Sequence, residues 1–248
     1  MTFNVLEYAR LKNVPIVFSW SREVYGDVHR FEEYGEQVAD FAYAESTYSA
    51  SKISGEAFIY SYARCYGLPY VVFRFSNVYG RFDNDLRRMV RVIPLFIHSM
   101  LRGEPITIYG GRDKTLDFTY VDDCVDGISR GIEALHEGRV VNQTINLAYG
   151  QGNTLVHCAE RIAEELGVQP QMTLAPSLLG EVTHYVADLS KARELLGYDP
   201  AVPLDEGIAR AVAWFREHRA AHPDEDTAVR PDHEGALGAS SGWKTAGG

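Results

Sequence analysis

The feature that most constrains this chain is an alternation of helical and strand periods in its first eighty residues. Residues 2–12, "TFNVLEYARLK", mix apolar and charged side chains at helical spacing, and "VPIVFSW" (14–20) follows as a β-branched and aromatic run that predicts a buried strand. A loop rich in Gly and acids (26–45) comes next. Residues 47–66 return to helical spacing, Gly67 and Pro69 stop them, and "YVVFRF" (70–75) predicts a second buried strand. Helix, strand, helix, strand implies parallel strands with crossover helices, hence a doubly wound, Rossmann-like α/β sheet.

From Asn77 onward the pattern loosens. "VIPLFIHSMLRG" reads as a helix, "PITIYG" as a short strand, and "YVDDCVDGISRGIEALHEG" as a helix capped near Asp122. "QTINLAYG" is a strand and "TLVHCAERIAEELG" a helix closed by Gly167. "DLSKARELLGYDP" and "LDEGIARAVAWFREHR" add two helices, the first ending at Gly197. Residues 79–219 are expected to form mainly a smaller α/β lobe, with the strand and helix near 143–166 returning to the sheet. Residues 220–248, rich in Gly, Ala, Ser, Pro and acids, read as a disordered tail.

Composition excludes several functions. A net charge of −10 argues against general nucleic-acid binding, which needs a basic face, whereas an anionic small molecule needs only a few well-placed arginines. No apolar run reaches the roughly 18 residues of a membrane span, and the N-terminus lacks the basic start and apolar centre of a signal peptide, so a cytoplasmic location is the default expectation. Cys65, Cys124 and Cys158 are far apart and form no C-x-x-C pair, which indicates neither a disulfide framework nor a zinc site. "GASSG" (238–242) satisfies G-x-S-x-G but lies in the tail, and "HRAAH" (218–222) has helical metal-ligand spacing without a third ligand, which reads as a helix end.

The chemistry concentrates in "ESTYSASKISGEA" (45–57), where Tyr48 and Lys52 lie one helical turn apart near a helix N-terminus. The positive end of the helix dipole and an ammonium one turn on both favour phenolate over phenol, lowering a pKa of about 10 toward the range of a general base. Ser21, just past the first strand, stands where doubly wound sheets place their active sites, and Asn77 ends the next strand at the same edge.

These residues, with "NVLEYAR", "SREVYGD", "YSASKISGE", "FRFSNVYG", "IYGGRDKTLDFTYVDD" and "GEVTHYVADLSKARELLGYDP", make the chain similar to the extended short-chain dehydrogenase/reductases, specifically the NAD-dependent sugar-nucleotide epimerases and dehydratases. The resemblance runs through most of the chain. It implies a catalytic hydroxyl at Ser21, a base at Tyr48 and a helper lysine at Lys52, with Tyr48, Lys52 and Phe75 at the NAD cofactor. It also implies a nucleotide-diphosphate sugar as substrate, with Asn77 at the diphosphate, and a homodimer built on residues 2–12 and 47–66. Residues 1–78 would then be the remainder of a dinucleotide-binding domain.

The resemblance also exposes departures. Family members begin with a strand and a G-x-x-G-x-x-G turn for the NAD pyrophosphate; this sequence has no such run and reads as truncated by about a third of a family member. The loop at Gly150-x-Gly152 does not replace it, because Leu155 stands at the third glycine and no strand with an acid follows. Leu116 and Leu178 occupy positions where many relatives carry phosphate-binding arginines, which leaves Arg112, Lys114 and Arg88, among other basic residues, as candidate substrate contacts. After Ser21, the dehydratases' acidic pair is Arg22 and Glu23. Without its first acid, elimination is disfavoured, so 4-epimerisation leads and decarboxylation of a uronic acid sugar, with Glu23 catalytic, is the alternative. A third reading is a non-catalytic remnant or a half that depends on a partner chain for the cofactor turn.

Overall fold

The computed structural model describes residues 2–25, 47–86, 90–177 and 182–223, apart from the side chains of Glu23 and Val24. Helix α1 (Thr2–Lys12) leads into β1 (Ile16–Ser21) and a 3₁₀ turn (Arg22–Tyr25). Helix α2 (Thr47–Tyr66) ends at Gly67, whose φ of +67° is the left-handed geometry that glycine adopts without strain, and β2 (Tyr70–Phe75) follows. Two of these elements depart from a simple reading of their apolar runs, and a later helix departs in its cap.

Strand β1 pairs with β2 in parallel and, among the described residues, with nothing else, so its burial alternates and Val17 is 40% exposed. Helix α1 buries only Leu6 and Ala9, one turn apart on its inner face; Phe3, Val5, Tyr8 and Leu11 are exposed. Helix α4 (Val121–His136) starts on Tyr120, whose side chain makes no capping bond, rather than on Asp122. The acid that matters there is Asp123, whose carboxylate accepts hydrogen bonds from the backbone N–H groups of Ala201 (2.9 Å) and Val202 (3.0 Å), tying α4 to the approach of the last helix.

The sheet order is β1-β2-β6, all parallel, with β6 (Gln143–Leu147) placing Leu147 beside Phe75 and Phe75 beside Ser21. A second sheet runs from β3 (Asn77–Tyr79) through β5 (Thr115–Tyr120) to the antiparallel β7 (Gly152–Thr154), with β9 (His184–Tyr185) also on β5. Strands β4 (Ile106–Tyr109) and β8 (Met172–Ala175) make a third, two-stranded sheet. Helices α3 (Val92–Leu101), α5 (Leu155–Leu166), α6 (Ser190–Leu196) and α7 (Leu204–Ala221) cover this half. Helix α5 is capped by Thr154, whose Oγ1 accepts from His157 N at 3.1 Å, and closes as its sequence predicts at Gly167, with φ +70°.

Two cores lie on opposite faces of β2. Tyr70 and Val72 meet α1 and α2, whereas Val71 and Phe73 meet α4 and the larger core. The pleat turns Arg74 toward α2 as well, and it is 1% exposed. Its guanidinium donates from Nη2 to Glu56 Oε1 (2.6 Å) on α2 and from Nη1 to Tyr25 Oη (2.8 Å), and Tyr25 in turn donates to Asn146 Oδ1 (2.8 Å) on β6. Tyr60 donates to Glu56 and reaches Thr144 Oγ1 at 2.7 Å. Burial and the neighbouring Glu56 carboxylate push the Tyr60 phenol up, so it stays a donor.

"HRAAH" lies at the end of α7, which extends through Ala221; His218 and His222 stack at 4.4 Å and His218 Nε2 meets Asn84 Nδ2 at 2.9 Å. Among the described residues no group of three metal-ligating side chains occurs, and no helix is long and apolar enough to cross a membrane. Residues 224–248, with "GASSG", lie outside the described residues, as does the loop at 26–46.

Two substitutions test this packing. A Cβ at Gly131 on α4 would stand 2.1 Å from the buried Phe73 ring, so Gly131→Ala is expected to lower stability by about 1–3 kcal/mol in urea denaturation. Glu56→Gln removes the negative partner of a buried guanidinium and is expected to cost about 3–5 kcal/mol, most of it recovered in the double variant Glu56→Leu/Arg74→Met, measured the same way.

Candidate active site

The site begins where β1 stops. Ser21 is its last residue, in register with Phe75, the last residue of β2, so two strand ends and the start of β3 at Asn77 meet at one edge. Helix α2 brings Tyr48 to that edge in its first turn, and Tyr48 is 44% exposed, open to a ligand. Lys52, one turn later, donates from Nζ to the Ser19 carbonyl oxygen at 3.4 Å and lies 5.5 Å from the centroid of the Tyr48 ring. The sheet and α2 thus place a phenol, an ammonium and the end of a hydroxyl-bearing strand together, with the helix N-terminus adding its own positive potential.

Asn77 is held at both ends of its amide. Nδ2 donates to the Asp117 carbonyl oxygen at 2.8 Å, and Oδ1 accepts from Arg22 Nη2 at 3.2 Å. Arg22 also lies over the Tyr185 ring at 5.6 Å. The guanidinium next to Ser21 is therefore part of the same strand-end cluster as Asn77.

Asp117 anchors this floor, and sequence reading passed it over. Its carbonyl oxygen accepts from the side chains of both Ser76 and Asn77, and its fully buried carboxylate accepts from the backbone N–H of Tyr149 (3.2 Å), Gly150 (2.9 Å) and Ala187 (3.1 Å). Burial pushes its carboxyl up to about 6, opposed by those three N–H donors and by the Arg22 charge. The signal in the sequence was an acid inside an otherwise apolar and aromatic run, "TLDFTY", which a strand tolerates only when the acid has dedicated partners.

The remaining candidates spread out. Arg112 is exposed and Lys114 is 5% exposed on the connection between β4 and β5, where the Gly110 backbone lies against the Lys114 side chain. Leu116 is 5% exposed in the larger core, which explains an aliphatic residue there. Phe75 is half-buried, stacked 6.4 Å from Phe73. Arg88, Leu178 and the side chain of Glu23 lie outside the described residues.

The arrangement fits the nicotinamide and ribose end of NAD: an exposed Tyr48 backed by Lys52, beside the end of the strand that carries Ser21. The diphosphate end has no G-x-x-G-x-x-G run in the 248 residues to hold it.

Residues 1–148 match the profile of the NAD dependent epimerase/dehydratase family. The chain is 32% identical over 219 residues to a putative UDP-glucose 4-epimerase of Methanocaldococcus jannaschii, covering 88% of this chain and 68% of that protein. It is 31% identical over 227 residues to UDP-glucuronic acid decarboxylase 1 of Xenopus tropicalis, covering 88% and 52%. Among solved structures it is similar to UDP-glucuronic acid 4-epimerase from Bacillus cereus in complex with UDP-glucuronic acid and NAD, with a TM-score of 0.76, 25% identity, and coverage of 88% and 66%. The chain spans between 52% and 68% of the length of the curated relatives it matches.

Because its folded pKa of about 6 exceeds the roughly 3.9 of an unfolded aspartate, Asp117 favours the folded state most below about pH 4 and loses that contribution as pH rises through about 6. Asp117→Asn should remove this decline and cost about 1–3 kcal/mol at low pH through a lost backbone acceptor. Urea stability of both proteins across that range checks it.

Proposed function

The chain belongs to the NAD-dependent epimerase/dehydratase family, and from that premise we propose that its site serves C4 oxidation and reduction of a nucleotide-diphosphate sugar, a 4-epimerase reaction. What supports this most is one juxtaposition: Tyr48 and Lys52 on a single face of α2, with the Lys52 ammonium 5.5 Å from the Tyr48 ring and 3.4 Å from the carbonyl oxygen of Ser19, two residues before Ser21. That is a base with its activating cation, beside a hydroxyl.

In this reading Tyr48, as phenolate, takes the proton of the sugar's C4 hydroxyl, and Ser21 hydrogen-bonds the same oxygen as it becomes a carbonyl. Lys52 keeps Tyr48 ionised by its charge and reaches the nicotinamide ribose. NAD, when bound, would supply the acceptor for the C4 hydride and its return, with no net change in the cofactor. Rotation of the 4-keto sugar between the two transfers inverts the centre, with Tyr48 giving its proton back. Phe75 closes the nicotinamide side of the strand edge, and Asn77, Arg88, Arg112 and Lys114 serve the diphosphate.

A second reading is favoured by one observation. Arg22 sets a cation beside Ser21 and in hydrogen-bond contact with Asn77, which suits a sugar carrying a carboxylate. A uronic acid substrate is compatible with 4-epimerisation and, with Glu23 acting on the sugar, with decarboxylation.

The exposed apolar surface of α1 and α2, formed by Phe3, Leu11, Phe58 and Tyr66, is proposed to receive the same helices of a second copy. All three cysteines are free, which suits the reducing cytoplasm.

Calorimetric titration of the 248-residue chain with NAD is the decisive measurement. Micromolar binding is expected, followed by conversion of UDP-glucose or UDP-glucuronate, with Tyr48→Phe lowering kcat by about 10²–10⁴-fold. A folded chain that binds no NAD would sink the epimerase reading and leave a remnant or a partner-dependent half.

A further inference from the structure

Lys52 is lined by three aromatic rings. Its ammonium lies 5.5 Å from the centroid of Tyr48, 5.8 Å from that of Phe18 and 5.8 Å from that of Trp20. Phe18 and Trp20 are alternate residues of β1, so they leave the same face of the strand toward α2, and their rings pack at 5.1 Å. On α2 the residue above them is Gly55, three positions after Lys52, where a Cβ would stand 3.1 Å from the Phe18 ring and 3.2 Å from that of Trp20. Glycine is a poor residue inside a helix, and here its missing side chain admits the ring pair beneath the lysine.

Trp20 adds a second observation. It is 2% exposed, and its indole Nε1 is buried without a hydrogen-bond partner among the described residues. Stranding a donor is unfavourable, and a phenylalanine would fill much of the same space without one. What the indole offers in exchange is the aromatic face that attracts a cation most strongly.

We propose that Trp20, assisted by Phe18, is a positioning residue that holds the Lys52 ammonium against the Tyr48 ring. The proposal rests on the reading of Tyr48 as the base. A lysine has four rotatable bonds and a well-hydrated head, so left to itself it would spread its charge over many positions. The two β1 rings and the Ser19 carbonyl oxygen confine it to the side of Tyr48, and the strand that ends in Ser21 thereby also sets the cation that activates the base. Among the described residues, the other charged groups on the elements packed here are engaged: on α2, Glu56 binds Arg74 and Tyr60; after β1, Arg22 binds Asn77; on α1, Glu7 and Arg10 pair with each other.

The test follows the ultraviolet absorbance of tyrosinate against pH in the full chain without cofactor, and subtraction of the Tyr48→Phe titration isolates Tyr48 among the 15 tyrosines. Tyr48 should ionise at least about one pH unit below the ordinary value of about 10. Trp20→Leu should raise that midpoint by about half a pH unit, and Trp20→Phe by less. Trp20→Phe should also melt at or above the wild-type temperature, since it strands no donor, which separates positioning from stability. In a Lys52→Met background Trp20→Leu should shift nothing.

An unmoved midpoint in Trp20→Leu that still melts cooperatively overturns the proposal, as does an equal shift in the Lys52→Met background. Should Trp20→Leu not fold, Trp20→Phe decides by the same criterion. A wild-type midpoint near about 10 overturns the base assignment and this proposal with it; a low wild-type midpoint indifferent to Trp20 overturns this proposal alone.

Discussion

A guanidinium buried in the middle of a sheet holds the molecule's working parts in place. Arg74 sits on β2 at 1% exposure, and each of its partners belongs to a different element: Glu56 to α2, Tyr25 to the turn after Ser21, and through Tyr25, Asn146 to β6. Burying a charge is unfavourable unless its hydrogen bonds are made, so the helix, turn and strand are all held where those bonds can form. Helix α2 carries Tyr48 and Lys52, and the turn follows Ser21 directly. The relative position of Tyr48, Lys52 and Ser21 is thus set from beneath by one ion pair and its two phenols.

Asp117 plays the matching part on the other side of the cluster. Its carbonyl oxygen fixes Ser76 and Asn77 and its carboxylate gathers three backbone N–H groups from two loops, so the β3 start cannot move without breaking contacts in the second sheet. Arg74 and Asp117 are both charged, both buried and both in strands. They bind backbone and side chains in preference to solvent, beneath the strand edge where Tyr48 and Arg22 lie. Rigidity below and chemistry above is what the proposed reaction requires, since it holds a sugar carbon within bonding reach of a cofactor.

The helices, β1, β2, β4 and β6 were legible because their signals are local: apolar runs and periods, and Gly67, Gly167 and Gly197 in left-handed geometry at helix ends. Strand β5 was not, since Asp117 interrupts the strand pattern and its partners lie 32 or more residues away. The short strands β3, β7 and β9 have two or three residues each, too few to show a period, and the four-residue β8 lacks the β-branched run that marks β4. The wet outer face of α1 was equally hidden, because an apolar residue looks the same in sequence whether it meets a core or solvent.

By itself the sequence determined the family, the strand–helix alternation and the identities of Ser21, Tyr48, Lys52 and Asn77, because motif spacing along a helix or at a strand end is a property of neighbouring residues. Only the tertiary structure decided that Arg74 meets Glu56, that Asp117 braces Asn77, that Arg22 joins the strand-end cluster and that Trp20 and Phe18 flank Lys52. Those contacts join residues up to 55 positions apart, as in the bond from Arg22 Nη2 to Asn77 Oδ1. Chain separation carries no information about which of two distant polar groups will share a desolvated space, and that choice is made by packing.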